Sequence, residues 1–144
     1  MRFLSLFINS VFQVRQNPGP DDASALAEQA HAGQTDGSGY AYIHHPRRVA
    51  DNLKRLCHHN VSEDAMQIAF LHDVIEDTEI TSADLAQKGY SQNVIQGVEI
   101  LTKPDTEIAY ADRIRHIIDS GHEDAMLVKL CDLMDNLHPH RRCE

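Results

Sequence analysis

The chain has 144 residues, of which 42% are apolar and 24% charged, with a formal net charge of −9. That length gives one domain with a single core of moderate size. The acidic balance argues against a nucleic-acid backbone as partner, since that needs a basic face. It leaves a phosphorylated small molecule open, because a bound metal supplies positive charge that a net count misses.

Residues 1–20 read as an N-terminal extension and 21–144 as the folded domain. Met1-Arg2 followed by Phe3-Leu4-Ser5-Leu6-Phe7-Ile8 resembles the start of a signal peptide. Asn9, Gln13, Arg15 and Gln16 interrupt the apolar run, and no small-x-small cleavage site follows. The run is also too short to span a bilayer. Cys57, Cys131 and Cys143 are an odd set without paired spacing. A disulfide scaffold is therefore not expected, and a reducing cytoplasm is.

Asn17-Pro18-Gly19-Pro20 breaks the chain, and Asp21-Asp22 open a helix with Leu26, Ala27 and Ala30 on one side. Gly33 to Gly39 is a glycine-rich polar loop. Pro46 falls in the first turn of the next helix, where Val49, Leu53 and Leu56 recur at helical spacing. A third helix is predicted over Glu63–Asp77. Thr81 caps a short helix ending at Gly89, and Val94, Ile95, Val98 and Leu101 mark another that stops before Pro104. Residues 107–119, carrying Ile108, Ile114, Ile117 and Ile118, form the next helix. The last runs from Glu123 to Leu137, with Pro139 ending it. No period-2 strand or internal repeat is present, so the fold class is all-α.

The stretch from Ala69 to Thr78 carries the chemistry. His72-Asp73 puts two metal-competent side chains where hydrophobes would be cheaper to bury. Residues three and four apart share a helix face, so Asp73 neighbours Glu76 and Asp77. A solvated acidic helix face would explain these carboxylates equally well if they stood alone. His45, beside Pro46, and Asp132 supply partners. Two imidazoles and two carboxylates suit Mn²⁺, Fe²⁺, Co²⁺ or Zn²⁺, with Mg²⁺ also possible, and lack the thiolates of a structural zinc site. A six-coordinate ion would keep positions for water and a phosphate oxygen. Cys131 reads as an inert packing residue.

In this order, His … His-Asp … Asp resembles the HD superfamily of metal-dependent phosphohydrolases. The closer resemblance is to the hydrolase domain of RelA/SpoT-type enzymes and small alarmone hydrolases. Five blocks carry it: His31-Ala32-Gly33-Gln34; Tyr42 and Ile43 with His45-Pro46; Leu71 to Val74 with Glu76-Asp77-Thr78; Leu101-Thr102-Lys103; and Lys129-Leu130 with Asp132 and Asn136. The resemblance implies a helical bundle with a metal, most often Mn²⁺, held between helices by His45, His72, Asp73 and Asp132. It implies catalytic roles for Glu76 and Asp77, and a nucleotide contact by Asn136. Lys129 is open between the fold and a phosphate. Tyr110, Arg113 and Arg141 are candidate phosphate or sugar contacts, with plain surface roles equally open. For His31 and Gln34, hydrogen bonds fixing the loop stand beside substrate contact.

The implied reaction removes the 3′-pyrophosphate from guanosine 3′,5′-bis(diphosphate), making a small phosphorylated nucleotide the partner. No nucleic-acid or membrane partner is expected, and oligomeric state is left open. Several positions depart from the family. Thr35-Asp36-Gly37 replace a usual basic pair, with Arg47 and Arg48 as possible compensation. Asp135 stands where histidine or tyrosine is common, and the chain stops where relatives usually add a helix. Another nucleotide substrate, or a non-catalytic metal- or nucleotide-binding module, are the alternatives.

Overall fold

The computed structural model describes residues 17–139. Most of the N-terminal extension, Arg141 and Cys143 lie outside the described residues. The described chain folds into α1 (Pro20–Ala30), α2 (His44–Leu56), α3 (Glu63–Leu71), α4 (Val74–Asp77), α5 (Ser82–Gln87), α6 (Gln92–Leu101), α7 (Tyr110–Asp119) and α8 (Glu123–Asn136). Among the described residues there is no strand, only an isolated bridge between Thr35 and Ala41 that pins the 33–41 loop. The all-α expectation holds.

Side chains at the helix starts take up the orphan backbone N–H groups. Ser62 Oγ accepts from Ala65 N at 3.0 Å to open α3, and Ser91 Oγ from Val94 N at 3.2 Å to open α6. Thr81 and Asp84 cap α5 reciprocally, at 3.2 and 2.8 Å. His122 does the same for α8, its Nδ1 accepting from Ala125 N at 3.1 Å.

Helix α3 is the hub, packed against α1, α2, α6 and α8. Its sequence allows this because it is apolar nearly all round, with Ala65, Met66, Ile68, Ala69 and Leu71 all buried. Leu53, Val94, Val98 and Val128 complete the centre of the core from the neighbouring helices. The α3–α6 approach is close: a Cβ at Gly97 would collide with the Ile68 side chain. No helix of the described residues is long and apolar enough to cross a membrane.

Two expected boundaries move. The single helix over 63–77 is interrupted at His72-Asp73, where Asp73 turns to φ −106°, ψ −3° and α4 begins one residue later. Its apolar pattern continues into Val74 and Ile75, so periodicity alone did not mark the break. The helix expected from residue 107 starts at Tyr110, because Ala109 is extended (φ −62°, ψ 144°) and leaves Ile108 in the preceding loop.

Candidate metal centre

Four elements bring the four expected donors to one point. The first turn of α2 supplies His45, the α3–α4 junction His72 and Asp73, and the middle of α8 Asp132. His45 Nε2 lies 3.2 Å from His72 Nε2, 3.1 Å from Asp132 Oδ1 and 3.5 Å from Asp73 Oδ2. His72 Nε2 lies 3.0 Å from Asp73 Oδ2 and 3.7 Å from Asp132 Oδ1. Donors bound ~2.1 Å from one ion sit ~3.0 Å apart at right angles and ~3.4 Å apart in a tetrahedron. The spacings among His45, His72 and Asp132, and those from Asp73 to the two rings, match the ligand edges of one small cation. His45, His72 and Asp132 are buried and form the inner group, and Asp73 also groups with Glu76 and Asp77 at the mouth.

The tautomers make the fit sharper. His72 Nδ1 faces the Ala69 carbonyl at 2.7 Å and His45 Nδ1 faces the Asp135 carboxylate at 2.7 Å. Both partners only accept, so each Nδ1 must donate. In neutral rings this leaves two Nε2 lone pairs pointing at each other beside two carboxylate oxygens. Four electron-rich atoms converging in a buried space repel unless a cation or added protons lie between them. The residues present fit a divalent metal with mixed nitrogen and oxygen ligands.

Each ligand is held from behind, as metal ligands commonly are. Tyr42 donates its hydroxyl to Asp73 Oδ2 at 2.7 Å. Lys129 Nζ donates to Asp132 Oδ2 at 2.8 Å, and Asn136 Nδ2 to Asp132 Oδ1 at 3.0 Å. Lys129 and Asn136, expected at a phosphate or nucleotide, are thus engaged with a proposed ligand while also lining the cleft. Gln34 bridges His31 and the Asp77 backbone: its Oε1 accepts from His31 Nδ1 and its Nε2 donates to the Asp77 carbonyl, both at 2.8 Å. That arrangement is the loop-fixing role considered for this pair.

Electrostatics separate the inner and outer carboxylates. When protons rather than a cation occupy the two Nε2 atoms, burial disfavours charge on Asp132, but hydrogen bonds from the two facing histidine rings outweigh it and hold the carboxyl well below its usual range. Asp73 is lowered in the same way, chiefly by His72 acting against burial. Glu76 and Asp77 move the other way, raised by partial burial first and by the Asp73 charge second. The inner carboxylates are held ionised, while the outer pair is biased towards its protonated form.

The cleft over the four donors is about 280 Å³ and is lined also by Tyr42, Glu76, Asp77, Tyr110, Arg113, Lys129 and Asn136. Beside it lies a larger cavity of about 940 Å³, sharing Glu76 and Arg113 and adding Lys103, His116, Ile100 and Ile117. The expected metal, catalytic and nucleotide-contact residues within the described residues all line the cleft, whereas His31 and Gln34 do not. Three residues have contacts here that the sequence reading did not assign: Tyr42 to Asp73, Asp135 to His45, and Arg48, considered there only as compensation for a missing basic pair, to Asp135. Their offsets of three residues from His45 and Asp132 were the available signal.

A family model described as "HD domain" matches residues 23–144. The chain belongs to the HD domain family. This HD domain is 37% identical over 119 residues to a Vibrio cholerae serotype O1 protein named guanosine-3′,5′-bis(diphosphate) 3′-pyrophosphohydrolase, covering 78% of this chain and 16% of that one. It is 36% identical over 123 residues to the bifunctional (p)ppGpp synthase/hydrolase SpoT of Escherichia coli K12, covering 80% of this chain and 17% of that one. It thus spans about a sixth of the length of these curated relatives. A solved structure described as "A metazoan ortholog of SpoT hydrolyzes ppGpp and plays a role in starvation responses" superposes with a TM-score of 0.65 at 24% identity, covering 88% of this chain and 80% of that one. That likeness shows that the HD fold is shared.

Proposed function

We propose that this HD domain is a metal-dependent phosphohydrolase that removes pyrophosphate from the 3′ position of guanosine 3′,5′-bis(diphosphate). His45, His72, Asp73 and Asp132 are its metal ligands, with Mn²⁺ as the resident ion. The observation that carries the reading is that two facing Nε2 atoms, 3.2 Å apart, each meet a carboxylate oxygen of both Asp73 and Asp132 at 3.0–3.7 Å. The names of the relatives supply the substrate class. Free, buried Cys131 and the acidic balance suit a reducing cytoplasm.

A divalent ion bound there supplies Lewis-acid charge to a phosphate oxygen and lowers the pKa of a bound water. The chain's own residues do the rest. Glu76 and Asp77, at the mouth and with raised carboxyl pKa, are placed to take a proton from the attacking water and return one to the departing 3′ oxygen. Water adds to the inner phosphorus of the 3′ diphosphate as the bond to the ribose oxygen breaks, giving guanosine diphosphate and pyrophosphate. Tyr42, Lys129 and Asn136 hold the ligand carboxylates still. Tyr110 and Arg113 line the entry for nucleotide contact; Arg141 joins them only as a sequence-based candidate.

One observation favours a different nucleotide. Asp36, in place of a cation, spends Oδ1 on the Ser38 and Tyr40 N–H groups of its own turn, each at 3.0 Å. The loop therefore offers no charge to grip a guanine nucleotide's phosphates, whereas Lys103, Arg113 and His116 line the neighbouring cavity. A panel of phosphorylated nucleosides assayed with Mn²⁺ decides between them. Turnover of guanosine 3′,5′-bis(diphosphate), lost in Glu76→Gln and Asp77→Asn, is the expected result. Equal inertness of wild type and both variants despite intact metal binding leaves a binding module instead.

A further inference from the structure

The two histidines are backed unequally. His72 Nδ1 meets a neutral carbonyl, whereas His45 Nδ1 meets the carboxylate of Asp135, which is only 3% exposed. Arg48, one turn after His45 on α2, closes on the same carboxylate. Its Nε donates to Oδ1 at 2.7 Å and its Nη2 to Oδ2 at 3.2 Å. Asp135 follows Asp132 by three residues on α8, so one helical turn presents a proposed ligand and the group behind another ligand. A buried carboxylate needs a paired cation to remain charged, and a bidentate guanidinium meets that need while fixing its plane.

We propose that Arg48, Asp135 and His45 form a positioning relay that holds His45 in the Nδ1–H tautomer and sets the affinity of the site for its divalent metal. This rests on the metal-site reading above. An anionic acceptor on Nδ1 makes Nε2 a stronger donor than a carbonyl does, and outer-shell carboxylates of this kind are worth about 10–100-fold in metal affinity. Arg48 acts at one further remove, by keeping Asp135 ionised and oriented. The alternative is a brace that merely ties α2 to α8.

The test measures Mn²⁺ dissociation constants by the paramagnetic resonance of free Mn²⁺, with unfolding midpoints of the metal-free proteins alongside. Wild type, Asp135→Asn, Arg48→Met, Arg48→Lys and the double variant Asp135→Asn/Arg48→Met are compared. The relay predicts about 10–100-fold weaker Mn²⁺ binding for Asp135→Asn. It also predicts a smaller loss for Arg48→Met that Arg48→Lys partly restores, and no additional loss from Arg48→Met in the Asp135→Asn background. Wild-type affinity in Asp135→Asn with only a lowered midpoint overturns the relay in favour of the brace. Should Asp135→Asn fail to fold, unchanged Mn²⁺ affinity in Arg48→Met overturns it just as well. A wild type that binds no Mn²⁺ removes the site itself, and the relay with it, which is a distinct result from equal binding by all variants.

Discussion

At position 73 one carboxylate answers to two sets of neighbours. It faces both imidazoles and Tyr42, and also lies beside Glu76 and Asp77. Asp73→Ala is therefore expected to abolish Mn²⁺ loading and to erase the stabilisation that added metal gives, measured as the shift in unfolding midpoint with and without Mn²⁺. Glu76 carries the opposite sign. A carboxyl raised by burial and by Asp73 costs the fold nothing at low pH. A penalty then builds as pH rises from the ordinary carboxylate value through the raised one. The depressed Asp73 and Asp132 behave inversely, contributing stability above the ordinary value and losing it as pH falls. Glu76→Gln should therefore lower kcat by about 10²-fold or more. It should keep Mn²⁺ affinity and leave the metal-free protein at least as stable as wild type near neutral pH. Wild-type activity should fall away on the acid side as Glu76 takes up a proton. A full rate in Glu76→Gln would assign the proton transfer elsewhere.

At the scale of elements, helix boundaries were legible where caps and breakers act locally: Thr81 opens α5, and Pro104 follows the end of α6, through their own backbone chemistry. The interruption at His72-Asp73 was not legible, since Val74 and Ile75 continue the apolar stripe. The hydrogen bond from Tyr42 that engages Asp73 there comes from 31 residues away. Gly97 illustrates the same limit. As a helix-interior glycine it looks weak by about 1 kcal/mol relative to alanine. Yet it is the point where α6 lets the Ile68 side chain of α3 approach. Overpacking a core costs about 1–3 kcal/mol, which exceeds the propensity gain. Gly97→Ala should lower the denaturant midpoint while leaving Mn²⁺ affinity intact. A raised midpoint would show that Ile68 yields without cost.

For the whole molecule, an acidic chain brings candidate metal donors together from three segments, the start of α2, the α3–α4 junction and the middle of α8. The four candidate donors stood out in the sequence because such residues are chemically unusual in apolar helices. The supports did not, because Arg48, Asp135 and Tyr42 are ordinary surface or turn residues until α2 and α8 are packed together. Binding energy at the centre becomes folding energy. Saturating metal at 100 times its dissociation constant adds about 2.7 kcal/mol to the native state. Chelation should lower the unfolding midpoint and Mn²⁺ restore it. The most direct measurement is metal stoichiometry on purified protein titrated with Mn²⁺, wild type against His72→Ala. One equivalent bound by wild type and none by the variant is the predicted result. Undiminished binding after loss of the His72 imidazole, or no binding in wild type, would contradict a single cation held where the three segments meet.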